Sequence, residues 1–405
     1  MTDHILRPQP LGVFPLPAGY LVLPPVEGAA ELCAELLAGR VPPEVPDNLR
    51  FYALALAGDV DAALGALAGD TRPEARYNRF VLRGDPADYP RLRGELRGDL
   101  ATLLDLVAYA LGWSDAPPAP DGLEGELAAC VLAAHAAGAM ERDQAEAALG
   151  SLDAAIAAAR PISPLLAAQL LGDLADTHAR LGDGRVAAQH YRDALALTER
   201  RGLPELRAML SLRLGMVYQD LAGGQRGPLL EAARCYQEAL KLYTRERAPE
   251  LFALAQNNLA LAYLAIPLTE SSDQLRMAIA VQGLREALKV YTRETHRERW
   301  ASAQLNLANA LQYLPSASPE DHLAEAVELY EELLDARDPA ADPLGCARLL
   351  ANQGNALAHL GIFDHARAKL AAARDLFVRG GDNASAEAVA EVLESAEQRQ
   401  REFER

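Results

Sequence analysis

The residues best suited to hold a ligand are amides. Gln256, Asn257 and Asn258 form one group, Gln304, Asn306 and Asn309 a second, and Asn352, Gln353 and Asn355 a third. Each side chain carries a donor and an acceptor, so such a series can grip an extended peptide backbone without choosing its sequence. The same amides can instead bond between neighbouring helices and set their register, because a buried amide needs partners either way. Arg348 precedes Asn352 by one helical turn, where it could meet a carboxylate. Tyr313 is a further candidate contact.

Catalytic chemistry has no comparable pattern. The eight histidines are scattered. His359 and His365 straddle a turn at Gly361, and no carboxylate or thiol completes a ligand set, so no metal site is expected. Cys33, Cys130, Cys235 and Cys346 lie far apart without a CxxC spacing. They read as buried thiols in a reducing compartment rather than as a disulfide framework or zinc site. The glycine-rich GGQRG (223–227) lacks the preceding strand and the following Lys-Ser/Thr of a phosphate loop. No GxSxG, HExxH or kinase-type set occurs. The expectation is a chain that is not an enzyme and needs no cofactor.

The formal charge of −18 repels phosphate backbones and anionic membrane surfaces. Basic residues are interspersed with acidic ones, as in RERAPE (245–250) and RETHRER (293–299), the mark of a solvated helix face. Neither nucleic acid nor membrane is an expected partner. The opening MTDHILRPQPLGVFPLPAGY is broken by Pro8, Pro10, Pro15 and Pro17, so neither a secretory leader nor a membrane span is expected, and the cytoplasm is the expected compartment.

The elements that must position the amides are helices. Half of the residues are hydrophobic, aromatics make up only 5%, and long Val/Ile alternation is missing, so close-packed helices rather than a sheet are expected. Tyr-Thr-Arg-Glu occurs at 243–246 and again at 291–294, each copy shortly after Glu-Ala-Leu-Lys. Downstream of the two copies lie ELFALAQNNLALAY (250–263) and ERWASAQLNLANAL (298–311). Extending that register gives five units. Their first helices are anchored on Leu174, Leu214, Leu259, Leu307 and Gln353, each followed by a small residue: Ala175, Gly215, Ala260, Ala308 and Gly354. Their second helices carry Ala187/Tyr191/Ala194, Ala232/Tyr236/Ala239, Ala280/Leu284/Ala287, Ala326/Tyr330/Leu333 and Ala366/Leu370/Ala373. Residues at i, i+4 and i+7 share one helix face, which suits a tight antiparallel pair.

This pattern resembles the tetratricopeptide repeat (TPR) superfamily over roughly residues 165–380. The signature there is large-Gly/Ala-x-x-Tyr on helix A and Ala-x-x-x-Phe/Tyr-x-x-Ala on helix B. The anchors are 40, 45, 48 and 46 residues apart, longer than the ~34 of a plain TPR. With its YTRE…QNNLA phrasing, the chain is similar to extended bacterial TPRs that often accompany caspase-like protease domains. The extra length is expected between helices A and B of the three middle units, in AGGQRGPLL, IPLTESSDQ and LPSASPED, with Ser318 capping a helix whose first residue is Pro319.

The resemblance implies an all-α, right-handed superhelical solenoid of antiparallel helix pairs with a smaller helical N-terminal region. In that family helix A lines the concave groove. Asn258, Asn306, Asn309, Asn352, Asn355, Gln304, Arg348 and Tyr313 are therefore the candidate groove residues. The family's carboxylate clamp uses lysines on first helices, whereas Lys241, Lys289 and Lys369 fall on second helices, so that clamp is not expected. Tyr243, Tyr291 and Trp300 are expected in the core.

The expected organisation is a proline-rich, partly extended segment at 1–48, short helical hairpins at 49–115 and a linker at 116–122. A degenerate helical pair follows at 123–160, then five TPR-like units at 161–380 and a C-terminal capping helix at 381–405. The expected function is a non-catalytic scaffold that binds a protein or peptide partner in the groove, and homo-oligomerisation is compatible with this and with each other reading. Two further readings stand beside it. One is a signalling receptor for a short peptide or small ligand, to which the N-terminal module responds. The other is an enzyme whose active site lies within residues 1–120.

Overall fold

Proline punctuates the repeat region. The helices at Pro164–Arg180, Pro204–Leu221, Pro249–Ala265, Pro319–Asp335 and Pro343–His359 all start on one. At the first helical position the missing N–H costs nothing and the fixed φ suits the helix. Ser318 occupies the N-cap position and Pro319 the first turn, as the sequence leads one to expect, but the serine side chain makes no capping hydrogen bond to the helix.

The computed structural model describes residues 7–267, 273–315 and 318–403. Among these there are nineteen α-helices, three short 3-10 turns and no strands. The N-terminal helices are α1 (Ala29–Leu37), α2 (Arg50–Leu56), α3 (Val60–Ala66), α4 (Pro73–Arg83), α5 (Tyr89–Glu95) and α6 (Gly98–Ala110). Longer helices follow in consecutive pairs: α7 (Gly125–Glu141) with α8 (Ala145–Ala159), and α9 (Pro164–Arg180) with α10 (Gly184–Thr198). Then come α11 (Pro204–Leu221) and α12 (Arg226–Leu240), α13 (Pro249–Ala265) with α14 (Asp273–Leu288), α15 (Arg297–Gln312) with α16 (Pro319–Asp335), and α17 (Pro343–His359) with α18 (Phe363–Arg379). The last helix, α19 (Asn383–Phe403), packs on α18. The architecture is that of a TPR-like stack of helix pairs. The chain divides into two compact units, one through Val217 and one from Tyr218.

The helix-B triplets form the core in every pair. Tyr191, Tyr236, Leu284, Tyr330 and Leu370 are buried, as are the alanines, and in one case Leu333, on either side of them. The small residue after each helix-A anchor has a measurable reason at Gly354. A Cβ there would lie 2.7 Å from Leu370 Cγ, so only glycine lets α18 approach this closely. Trp300 is buried near the start of α15, in the cluster that includes Leu307, Tyr330 and Leu349.

The extra length of the middle units is distributed differently from expectation. Arg226–Leu230 already belong to α12, which leaves only 222–225 as the link from α11. The links from helix B to the next helix A, 241–248 and 289–296, hold more of it, and these carry the two Tyr-Thr-Arg-Glu copies. In each copy the tyrosine is buried just past the end of helix B. The threonine hydroxyl then accepts a backbone N–H three residues on, from Arg247 to Thr244 at 3.3 Å and from Thr295 to Thr292 at 3.2 Å. The motif is thus a core plug followed by a hydroxyl-braced turn. Of the second expected insert, 266–274, residues 268–272 lie outside the described residues.

In the first unit Leu21, Val22 and Leu23 run extended and fully buried. Buried backbone must find partners, and two amides act as substitute strands. Asn78 accepts from Val22 N at 2.9 Å and donates to Val22 O at 2.8 Å. Gln9 does the same for Leu23, at 2.9 and 3.1 Å. Gly202 N donates to Ala38 O at 2.9 Å. A Cβ on Gly202 would fall 2.0 Å from Gly39 O, and Gly39 itself has φ +74°, so this crossing requires glycine on both strands of the chain.

Candidate functional site

Taking the helix-A anchors as origin, one register position explains most of the amides. The residue before the anchor is Asp173, Arg213, Asn258, Asn306 and Asn352 in successive units. In three cases it reaches towards the buried tyrosine of the preceding unit's helix B. Tyr191 donates to Asp176, which also accepts from Arg213. Tyr236 donates to Gln219 at 2.9 Å and also bonds Asn258. The fullest version surrounds Tyr330, whose hydroxyl receives Gln312 Nε2 at 2.5 Å and donates to Asn309 Oδ1 at 2.6 Å. Asn352 Nδ2 donates to the same Asn309 oxygen at 3.0 Å, and Asn355 Nδ2 to Gln312 Oε1 at 3.3 Å. Burial pushes all three phenols up from their ordinary pKa, so they remain neutral hydroxyls.

The third unit breaks this series. Leu284 stands where the others have tyrosine, so no phenol is available to the next residue in register, Asn306. Asn306 is half-buried and has no hydrogen bond among the described residues. Nearby in sequence, Tyr313 caps α15 with 66% of its surface exposed. Arg348 is exposed on α17. Behind the hydrogen bonds from Ser385, its charge helps to hold the Asp382 carboxyl below the usual range.

Gln304 departs from the groove expectation. It is 3% exposed and its Nε2 donates to Leu329 O at 3.3 Å and Glu332 Oε2 at 2.8 Å on α16. The reason is angular. Three residues before Leu307 is about 60° from it around a helix, on the core side. Asn306 and Asn309 are about 100° and 160° from Leu307 but only about 60° from each other, so they share the other face. Gln353, an anchor itself, is likewise buried and bonds Val327 O at 3.3 Å and Glu331 of α16. Asn258, Asn309, Asn352 and Asn355 therefore belong to hydrogen-bonded networks, and Asn306, Tyr313 and Arg348 do not.

The networks leave capacity unused. Among the described residues Asn309 keeps its N–H2 group, while Asn352 and Asn355 keep one carbonyl oxygen each. The face thus offers both donors and acceptors in fixed positions. The cysteines offer no nucleophile. All four are free, and burial pushes the Cys33, Cys130 and Cys235 thiols up to about 12. Among the described residues no cluster of His, Cys, Asp and Glu could hold a metal ion, and no helix is long and apolar enough to cross a membrane.

No family model and no curated protein matches this chain. Among solved structures it is similar to a Rap protein complexed with competence and sporulation factor, at 13% identity over 88% of this chain and 98% of that one, with a TM-score of 0.40. It is similar to the C-terminal part of a TPR repeat-containing protein from Cytophaga hutchinsonii, at 12% identity over 72% and 99%, TM-score 0.38. It is also similar to the TPR2AB domain of yeast Sti1 in complex with pHSP90, at 17% identity over 66% and 98%, TM-score 0.27. At such scores the TPR-like reading of this chain stands on its own residues: the five anchor positions and the buried helix-B triplets.

Proposed function

We propose that the chain is a non-catalytic interaction protein and that the helix-A face of its later units binds an extended peptide segment of a partner. The observation that carries this is the set of half-used amides. Asn309, Asn352 and Asn355 are held in place by Tyr330 and Gln312 yet keep free donors and acceptors, and Asn306 keeps its whole amide. Pre-positioned groups bind without the entropic cost of ordering, and an extended backbone presents alternating N–H and C=O to match them. Tyr313 adds exposed aromatic surface and Arg348 a positive charge.

The test is a random-peptide display selection against the full chain, followed by binding of the enriched peptides to Asn306→Ala/Tyr313→Ala. Loss of at least about tenfold in affinity, some 1.4 kcal/mol, with an unchanged melting temperature supports the reading. Enriched peptides that bind the double variant as tightly as the parent refute it.

A further inference from the structure

In the first unit, residues 12–20 and the corner at 109–115 flank α7 and α9 around an open pocket of about 910 Å³. Small-molecule sites span roughly 300–1,000 Å³, so this one can take a compact organic ligand. One wall is an alanine stripe, Ala133, Ala134 and Ala137 on α7, and the facing wall is Leu166 and Leu170 on α9. The cavity lies on the same register as the amide series: Asp173 is the residue before the anchor Leu174, where later units carry Arg213, Asn258, Asn306 and Asn352.

The polar lining is rich in acceptors, with the Arg142 guanidinium as a cation among them. The Asp173 carboxylate makes no hydrogen bond or ion pair among the described residues. Asp173 is exposed in the pocket, and the protein around it raises its pKa to about 6, with Arg213 pulling the other way. That arginine is itself held by Asp176. Tyr20 and Tyr109 line the cavity with hydroxyls that have no protein partner among the described residues. Gln169 donates Nε2 to Val13 O at 3.2 Å and keeps its oxygen. At the mouth, Asp115 and Glu141 outweigh Arg142 by one charge.

We propose that this cavity binds a small organic cation, a primary ammonium on an apolar body. The ammonium has three N–H donors and no acceptor, which matches a carboxylate, an amide oxygen and two hydroxyls. The alkyl or aryl body lies against the alanine and leucine walls, where its burial away from water favours binding. A carboxylate ligand would meet Asp173 head-on, and a neutral one would gain no charge-assisted hydrogen bond from it.

The test is a ligand-observed NMR titration of the full chain with hexylamine and phenethylamine, and with 1-hexanol and hexanoate as controls. Hexylamine is expected to bind at least about tenfold more tightly than 1-hexanol, with hexanoate weakest. Asp173→Asn should erase the difference between amine and alcohol while keeping alcohol binding. Ala134→Trp should remove both by filling the cavity, and thermal melts check that each variant folds. If neither amine binds up to about 10 mM, a level corresponding to roughly 3 kcal/mol, the proposal fails. It fails equally if a folded Asp173→Asn keeps the preference for amine.

Discussion

Tyr330 donates its hydroxyl hydrogen to Asn309 Oδ1 at 2.6 Å, and Asn352 donates to the same oxygen from the next unit's helix. One acceptor therefore joins α15, α16 and α17. Replacing Tyr330 by Phe removes that hydroxyl and leaves the amides around it short of partners. The expected loss is about 1–3 kcal/mol, read from urea unfolding at constant m-value.

The asparagines should separate by role. Asn309→Ala should cost about 1–2 kcal/mol, because it takes away the acceptor shared by Tyr330 and Asn352. Asn306→Ala should cost under about 0.5 kcal/mol, since Leu284 gives it no phenol to bond. Equal costs for the two variants would show that the networks do not govern stability.

Asp173 should leave a pH signature. Its pKa is raised to about 6, above its ordinary carboxylate value. The folded state therefore binds more protons than the unfolded state between about pH 4 and 6, and stability falls as pH rises through that window. Asp173→Asn removes the ionised group, so it should raise the melting temperature at pH 7 and not at pH 4. Contact with water keeps the effect small, about 1–2 °C by calorimetry.

Gly354→Ala should be destabilising by about 1–3 kcal/mol, because the new methyl meets Leu370 at the closest point of α17 and α18. Adding Leu370→Ala should recover part of that loss relative to the sum of the single effects. A cycle with no coupling between the two sites would disprove the contact.

The thiols should be slow. Burial raises Cys33, Cys130 and Cys235 to about 12, so little thiolate exists at pH 7.5. Intact mass after iodoacetamide treatment should show no rapid adduct in the native chain and four adducts in urea. Among the native sites, half-buried Cys235 should react first.

Much of the repeat region was legible because local spacing dictates it. An anchor, a small residue beside it and an Ala-Tyr-Ala stripe can be read directly as helix faces, and the buried Tyr330 and Trp300 sit where that reading puts them. Gln304 was misread because its amide resembles its neighbours chemically while lying about 60° from Leu307, on the core side. Which asparagines bond to a phenol depends on the preceding unit's helix B, so the distinction between Asn306 and Asn352 lies at Leu284 and Tyr330, not at the asparagines themselves. The cavity had no signal in sequence. Its walls are ordinary alanines and leucines drawn from four separate stretches, and only folding brings Asp173 and Tyr20 to one pocket.

The glycine crossing between Gly39 and Gly202 also sets an order in time. The hydrogen bond from Gly202 to Ala38 closes a chain length of more than 160 residues. At roughly 5–20 residues per second, a ribosome needs on the order of 10–30 s to make that partner available. The N-terminal helices therefore emerge first yet reach their final seating only after the first full repeat has been synthesised, so the Ala38 carbonyl waits for its partner throughout that interval.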